Sequence, residues 1–340
     1  MPIHLSELLS PRPDALWHLV KQCGVTDVVA LLQGGEQDQR MLQSVGAEGY
    51  TAPLTSDPPW SKAAIQRDVE AFAADGLTVV AIEDTAPMDR VRLGHAGRDE
   101  DIDRIITQIE AMGDLGIPVL CYNWMPLTSW GRTEVDRRAR GGARVTAFRA
   151  TDLDALPPLA ADGELVAEQL WDSLAYFLDA VVPVAENAGV RMSMHPDDPP
   201  RAMHRNVPRI MGTPDAFRRM LSMQPSPSNA ITFCQGNFAL MGHDLPELIR
   251  EFGEQIAFVH FRDVRGVVDD FEETFHDEGQ TDMAACMRAY AEIGFDGPMR
   301  PDHVPTMHGE GNEHPAYGTL GRLFALGYIR GLEHATRGMG

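Results

Sequence analysis

Four β-prone runs in this chain end in side chains able to hold a metal ion, and that recurrence narrows the fold more than any other feature. Residues 190–194 lead into His195, 230–233 into Cys234 and 256–259 into His260, while 298–301 leads into Asp302 with His303 beside it. A buried strand that stops at a polar, Pro-rich mouth gives this pattern, seen most clearly in Met192-Ser-Met-His-Pro-Asp-Asp-Pro-Pro200. Four such tips predict one site at the C-terminal mouth of a parallel barrel, where that architecture carries its chemistry.

The rest of the chain agrees with a barrel. Strand candidates lie at 27–32, 78–83, 118–122, 190–194, 230–233, 256–260, a weaker 271–276, and 298–302. Between and after them, 62–74, 100–115, 164–188, 214–222, 245–252, 282–293 and 320–334 carry apolar residues at three- and four-residue spacings. Eight strands alternating with helices, with no break in composition, predict an α/β fold: a single (β/α)8 TIM-barrel domain over 1–340. An open doubly wound sheet is the alternative; it would spread the four tips along an edge. The turn Gln33-Gly-Gly-Glu36 is not a nucleotide fingerprint. Residues 123–160, after the third predicted strand, are far longer than the ~2–6 residues of an ordinary strand-to-helix loop. They hold Trp124, Trp130, Arg132, the basic Arg137-Arg138-Ala-Arg140 and Gly141-Gly142. This insertion is expected to act as a lid over the mouth, with an oligomer contact as the other reading.

Composition excludes several classes. With 29 Lys and Arg against 50 Asp and Glu, the net charge is −21, and the acid is spread along the chain. Nucleic acid and anionic membrane surfaces would be repelled. The four cysteines, Cys23, Cys121, Cys234 and Cys286, form no C-x-x-C pair, which fits a reducing cytoplasm. No basic-then-apolar leader opens the chain, and no run approaches the ~18 apolar residues of a membrane span. A cytoplasmic protein is expected.

Residues two apart on a strand share a face. If His195, Cys234, His260 and Asp302 point inward, then Ser193, Thr232, Phe258 and Arg300 lie one layer deeper, with Arg300 placed to orient Asp302. Two imidazoles, a thiolate and a carboxylate suit a divalent transition ion with positions open for substrate oxygens. Softness suggests Zn2+ or Fe2+, and the carboxylate tolerates Mn2+. Any one of these residues alone reads more readily as structural, since a lone buried Cys is usually a small hydrophobe. His276 fits either a site role or the surface, and Asp197 and Asp198 fit turn capping equally well.

Met194-His-Pro-Asp-Asp-Pro-Pro200, Phe233-Cys-Gln-Gly236, His260-Phe-Arg-Asp-Val264 and Arg300-Pro-Asp-His303 together resemble the D-mannonate dehydratase family of xylose-isomerase-like barrels. Gly97-Arg-Asp-Glu-Asp-Ile102, Cys121-Tyr-Asn-Trp-Met-Pro126 and Trp130-Gly-Arg-Thr133 extend the likeness over nearly the whole chain. The resemblance implies Mn2+ on His195, Cys234, His260 and Asp302, catalytic roles for His303 and Tyr317, and loss of water from D-mannonate to give 2-keto-3-deoxy-D-gluconate. It also implies a homodimer. Trp124, Arg132, Arg262 and Arg300 are the candidates for holding a small sugar-acid substrate, Arg132 and Arg262 through a bidentate fork on its carboxylate. The chain departs from the family pattern after each catalytic candidate, reading Asp302-His-Val-Pro305 and Tyr317-Gly-Thr-Leu-Gly321, so another aldonate is an alternative substrate. A metal-dependent isomerase or epimerase is the rival enzyme, and a non-catalytic sugar-acid sensor the rival from another class. Only Lys21 and Lys62 occur, neither at a strand tip, which argues against an isomerase lysine or a Schiff base.

Overall fold

The strand runs that read as unbroken apolar stretches lie buried on both faces. The computed structural model describes residues 3–32, 57–161 and 163–337, so the turn at 33–36 lies outside the described residues. In chain order its strands are β1 (His4–Leu9), β2 (Asp27–Ala30), β3 (Thr78–Ile82), β4 (Val119–Asn123), β5 (Glu134–Arg138), β6 (Arg144–Arg149) and β7 (Arg191–His195). There follow β8 (Met203–His204), β9 (Val207–Pro208), β10 (Asn229–Cys234), β11 (Ile256–His260), β12 (Val264–Val267), β13 (Asp270–Glu273) and β14 (Pro298–Arg300). Eight of these close a barrel in the order β1-β14-β11-β10-β7-β4-β3-β2. Every neighbouring pair in it is parallel. All residues of β10 and β11 are buried, as strands covered by helices on one side and by barrel core on the other must be.

The helices return the chain to the bottom of the barrel, and several start where a side chain caps them. Thr213, Asp244 and Asp282 accept from the backbone N–H of Ala216, Glu247 and Ala285, ahead of Pro214–Met223, Leu245–Phe252 and Met283–Glu292. Each cap contributes about 1 kcal/mol. The longest helix among the described residues, Ala167–Ala188, buries Leu174, Phe177, Leu178 and Val181 and stops at Gly189, whose φ of 69° suits only glycine well.

Two expectations are corrected. The eighth barrel strand is β1, while 271–276 does not belong to the barrel: β13 pairs antiparallel with β12 and β6 in a separate sheet ordered β12-β13-β6-β5. β1 is hard to see because Ser6 and Glu7 break its apolar run, yet both are buried and partnered. Ser6 Oγ donates to Met299 O at 3.1 Å, and Glu7 accepts from Leu8 N at 2.8 Å and lies 3.5 Å from Arg322. The insertion therefore follows the fourth barrel strand, not the third. Its hairpin, β5–β6, joins the β12–β13 hairpin that follows β11.

Candidate active site

Ladder register sets the level of the site. Cys234 pairs with His260, His260 with Arg300, and Asn123 with His195. One layer down, Thr232 Oγ1 lies 2.8 Å from Ser193 Oγ and 3.3 Å from Cys121 Sγ. At the tips, His195, Cys234 and His260 each offer a donor atom within 4.8 Å of the other two. Asp302 Oδ2 joins them 3.8 Å from Cys234 Sγ and 3.5 Å from His260 Nδ1. The four residues that the strand tips singled out thus come together.

The donors fit a divalent cation on the structure's own terms. His195 Nδ1 lies 2.7 Å from Pro196 O, and a carbonyl only accepts, so Nδ1 carries the proton and Nε2 keeps its lone pair. His260 Nδ1 is buried and has no hydrogen-bond partner among the described residues. Burial opposes a charge on this imidazole, but Glu83 and Asp302 outweigh it and lift the pKa to about 9, so positive charge is favoured here. Asp302 has a φ of 63°, a left-handed conformation that costs a non-glycine residue about 1–3 kcal/mol and that clusters at functional sites. Arg262 Nε and Arg300 Nη2 hold its carboxylate at 2.7 and 2.8 Å. Against burial, His303, Arg300 and His260 keep its pKa well below the usual carboxylate range.

A buried ion network extends from Asp302 toward the added sheet. Arg262 donates Nη1 to Glu273 at 2.9 Å and Nη2 to Asp198 and Asn237 at 3.0 Å each. Arg132 donates to Asp198 at 2.7 and 3.1 Å and to Glu273 at 2.5 Å. His303 Nδ1 lies 3.1 Å from Glu273 Oε1 and its Nε2 3.8 Å from Asp302 Oδ1. Burial disfavours the charge on Glu273, yet Arg262, Arg132 and His303 bring its pKa down to about 2. Glu273 Oε1 is placed to accept Nδ1–H from His303, and Arg132 Nη2 lies 3.3 Å from the same nitrogen. On the other side of Asp302, Arg300 grips Glu83 through two bonds of 2.8 Å. Burial opposes ionisation of Glu83, but Arg300 and His260 lower its pKa to about 2. Three guanidiniums (Arg132, Arg262, Arg300) thus face four carboxylates (Glu83, Asp198, Glu273, Asp302), and the fourth negative charge is met either by a proton on His260 or by a cation bound in its place.

These groups border a cleft lined by Glu83, Tyr122, Asn123, Trp130, His195, Arg300, Asp302, His303 and Tyr317, among others. The Trp130 ring lies 4.5 Å from that of His303, and Tyr317 meets His303 edge-on at 5.7 Å. Burial and Asp302 push the Tyr317 phenol well above its ordinary pKa, so it keeps its proton. Three of the four expected substrate contacts are otherwise employed. Trp124 is fully buried, with Nε1 donating to Leu170 O at 3.1 Å and its ring against Phe177. Arg132 and Arg262 are bound to buried carboxylates rather than facing the cleft. Arg300 lines it and keeps Nη1 without a hydrogen-bond partner among the described residues, as Trp130 keeps Nε1 and Tyr122 its hydroxyl. His276 is buried, donating Nε2–H to Pro301 O at 3.0 Å, next to Asp302. Asp198 belongs to the ion network, while Asp197 accepts from Met211 N at 2.6 Å and faces Arg209.

Glu83 and Glu273 are the functional candidates that sequence reasoning misses. Glu83 closes the run 78–83, and its place at a strand tip is the signal that could have found it. Glu273 sits on an antiparallel strand outside the barrel, where barrel periodicity carries no information.

The profile of the family described as D-mannonate dehydratase (UxuA) matches residues 20–162 and 158–339. Mannonate dehydratase 2 of Halalkalibacterium halodurans is 33% identical over 304 residues, covering 81% of this chain and 88% of its own length. The mannonate dehydratase of Enterococcus faecalis is 33% identical over 88% of this chain and 94% of its own length. The crystal structure of mannonate dehydratase from Streptococcus suis serotype 2 superposes with a TM-score of 0.88 at 28% identity, covering 99% of this chain and 94% of that one. A D-tagatose 3-epimerase-like protein, 14% identical with a TM-score of 0.61, shares the fold. With the profile matching nearly the whole chain and these relatives above 30% identity, the chain belongs to the D-mannonate dehydratase family of hydro-lyases.

Proposed function

We propose that the protein converts D-mannonate to 2-keto-3-deoxy-D-gluconate and water, using Mn2+ held by His195, Cys234, His260 and Asp302. The observation that carries this reading is the meeting of those four donors at the strand tips, two of which, His195 and Asp302, line one cleft with His303 and Tyr317. When bound, the cation supplies the Lewis acidity that makes the proton α to the substrate carboxylate removable. His303 is the base: Glu273 holds its Nδ1–H, and Nε2 takes the C2 proton. Tyr317 is the acid, because its buried phenol stays protonated and can protonate the departing C3 hydroxyl. The C2–H and C3–O bonds break, water leaves, and the resulting enol tautomerises to the 2-keto acid. Arg300 and Trp130 hold the substrate through the donors they keep free of protein partners, while Arg132 and Arg262 position Asp302, Glu273 and through it His303.

The protein is read as a cytoplasmic homodimer. The four cysteines are free, and among the described residues no helix is long and apolar enough to cross a membrane. Sedimentation of the purified chain tests the dimer. The activity is tested by incubating Mn2+-loaded protein with a panel of aldonates differing at C2 and C3. Formation of a 2-keto-3-deoxy acid from D-mannonate is expected. An isomeric sugar formed without loss of water, or no turnover of any member, overturns the reading.

A further inference from the structure

We propose that the guanidinium of Arg300 fills a second cation site at the barrel mouth, formed by Glu83 and His260 at the strand tips and Cys121 one layer below them, and so limits the centre to one metal ion. Donor atoms of these three residues lie within 4.8 Å of one another, and the group shares His260 with the first cluster. A carboxylate, a thiol and an imidazole are a set that binds zinc-like ions. Arg300 sits within it, with Nε 2.8 Å from Glu83 Oε2 and 3.3 Å from His260 Nε2, and Nη2 2.8 Å from Glu83 Oε1. Both carboxylate oxygens are thus taken by a bidentate fork, and the imidazole nitrogen facing Glu83 is shared with the same guanidinium.

Charge explains why the position must be filled. The Glu83 side chain is only 16% exposed and lies 3.4 Å from His260 Nε2, a place where a carboxylate without a counter-charge is costly. A guanidinium meets that demand with one fixed charge and also reaches Asp302 Oδ1 at 2.8 Å, tying the two groups of donors together. It cannot exchange, unlike a second metal ion. Arg300 therefore acts as a positioning residue that sets the metal stoichiometry, in addition to offering Nη1 toward the cleft.

This inference rests on the reading of the first site as a metal site, and one titration separates the two. Apo protein is titrated with Co2+, following bound metal by atomic emission and the thiolate-to-cobalt absorption band. The wild type is expected to bind about one ion with one thiolate contact. Arg300→Met is expected to bind about two, with the thiolate band near twofold stronger as Cys121 joins Cys234. Arg300→Lys, which keeps a cation in place, and Arg300→Met combined with Cys121→Ala are both expected to return to about one. Arg300→Gln serves if the Met variant does not fold, as judged by near-UV circular dichroism. A wild type that binds no ion overturns the metal reading itself. A wild type that binds two, or neutral variants that stay at one or lose the first ion, overturn the proposal.

Discussion

The cleft has two walls of different origin. One is the ring of barrel tips carrying His195, Cys234, His260 and Asp302. The other is the antiparallel sheet β12-β13-β6-β5 with the segment leading into it, which contributes Glu273 and Arg132 behind His303. The first wall has bare lone pairs and orphaned nitrogens facing one another, which suits an exchangeable ion. The second is largely filled: its arginines and carboxylates pair with each other, Arg132 Nε alone of those guanidinium nitrogens having no hydrogen-bond partner among the described residues, and their product is the orientation of one imidazole. The proposed function thus places cation binding and proton transfer on separable parts of the chain, and variants can test that separation.

The largest effect is expected at the first wall. Chelation should take turnover to background and Mn2+ should restore it, while His260→Ala should lose both metal and activity. Persistent turnover in metal-free protein breaks the comparison at its root. Next come His303→Asn and Tyr317→Phe, each expected to lower kcat by about 10²–10⁴-fold with metal content unchanged. Should either variant lose its metal, the two walls are not independent. Glu273→Gln sharpens the point, since the orienting carboxylate goes while the ion's donors stay. We expect a fall in kcat of about 10–100-fold at constant metal stoichiometry.

Stability should respond at the second wall. Asp198→Ala removes one of the two carboxylates, with Glu273, that Arg132 and Arg262 share and leaves their charges undercompensated, which should cost about 3–5 kcal/mol in denaturant unfolding. A loss below 1 kcal/mol would show the network to be dispensable packing. The smallest effect concerns pH. Glu83 and Glu273 both titrate near 2 in the folded chain instead of 4.5, so the folded state binds fewer protons between those values. Their contribution is present above about 4.5 and is lost as pH falls toward 2. Asp197 runs the other way. Burial, against the pull of Arg209, raises it from 3.8 to about 6, so its contribution is lost as pH rises through that window. Asp197→Asn should flatten the unfolding curve there, and a curve identical to wild type would rule this out.

Legibility followed the period of the backbone. Cys234, His260 and Asp302 could be found because parallel strands buried on both faces are continuous apolar runs, and a polar terminal residue marks where they surface. β1 was missed because Ser6 and Glu7 are satisfied by Met299 O and Arg322, partners at the far end of the chain. The run at 271–276 was misplaced for a related reason: a short strand has the same local pattern in a barrel as in an antiparallel sheet. Arg132, Arg262 and Trp124 were expected in contact with substrate because an arginine fork and an indole are suited to it. Only the fold shows that Asp198, Glu273 and Leu170 already occupy them.

From the linear chain alone came the barrel, the four candidate ligands, the proposed catalytic pair and the family, since each depends on local periodicity or on the order of short motifs. Tertiary structure alone decided which arginines face the cleft, which carboxylates orient His303, and that Arg300 sits between Glu83 and Asp302. Those outcomes depend on which charges meet in a buried volume. Pairing there is set by distances of about 3 Å between residues up to 217 positions apart, which no local pattern encodes.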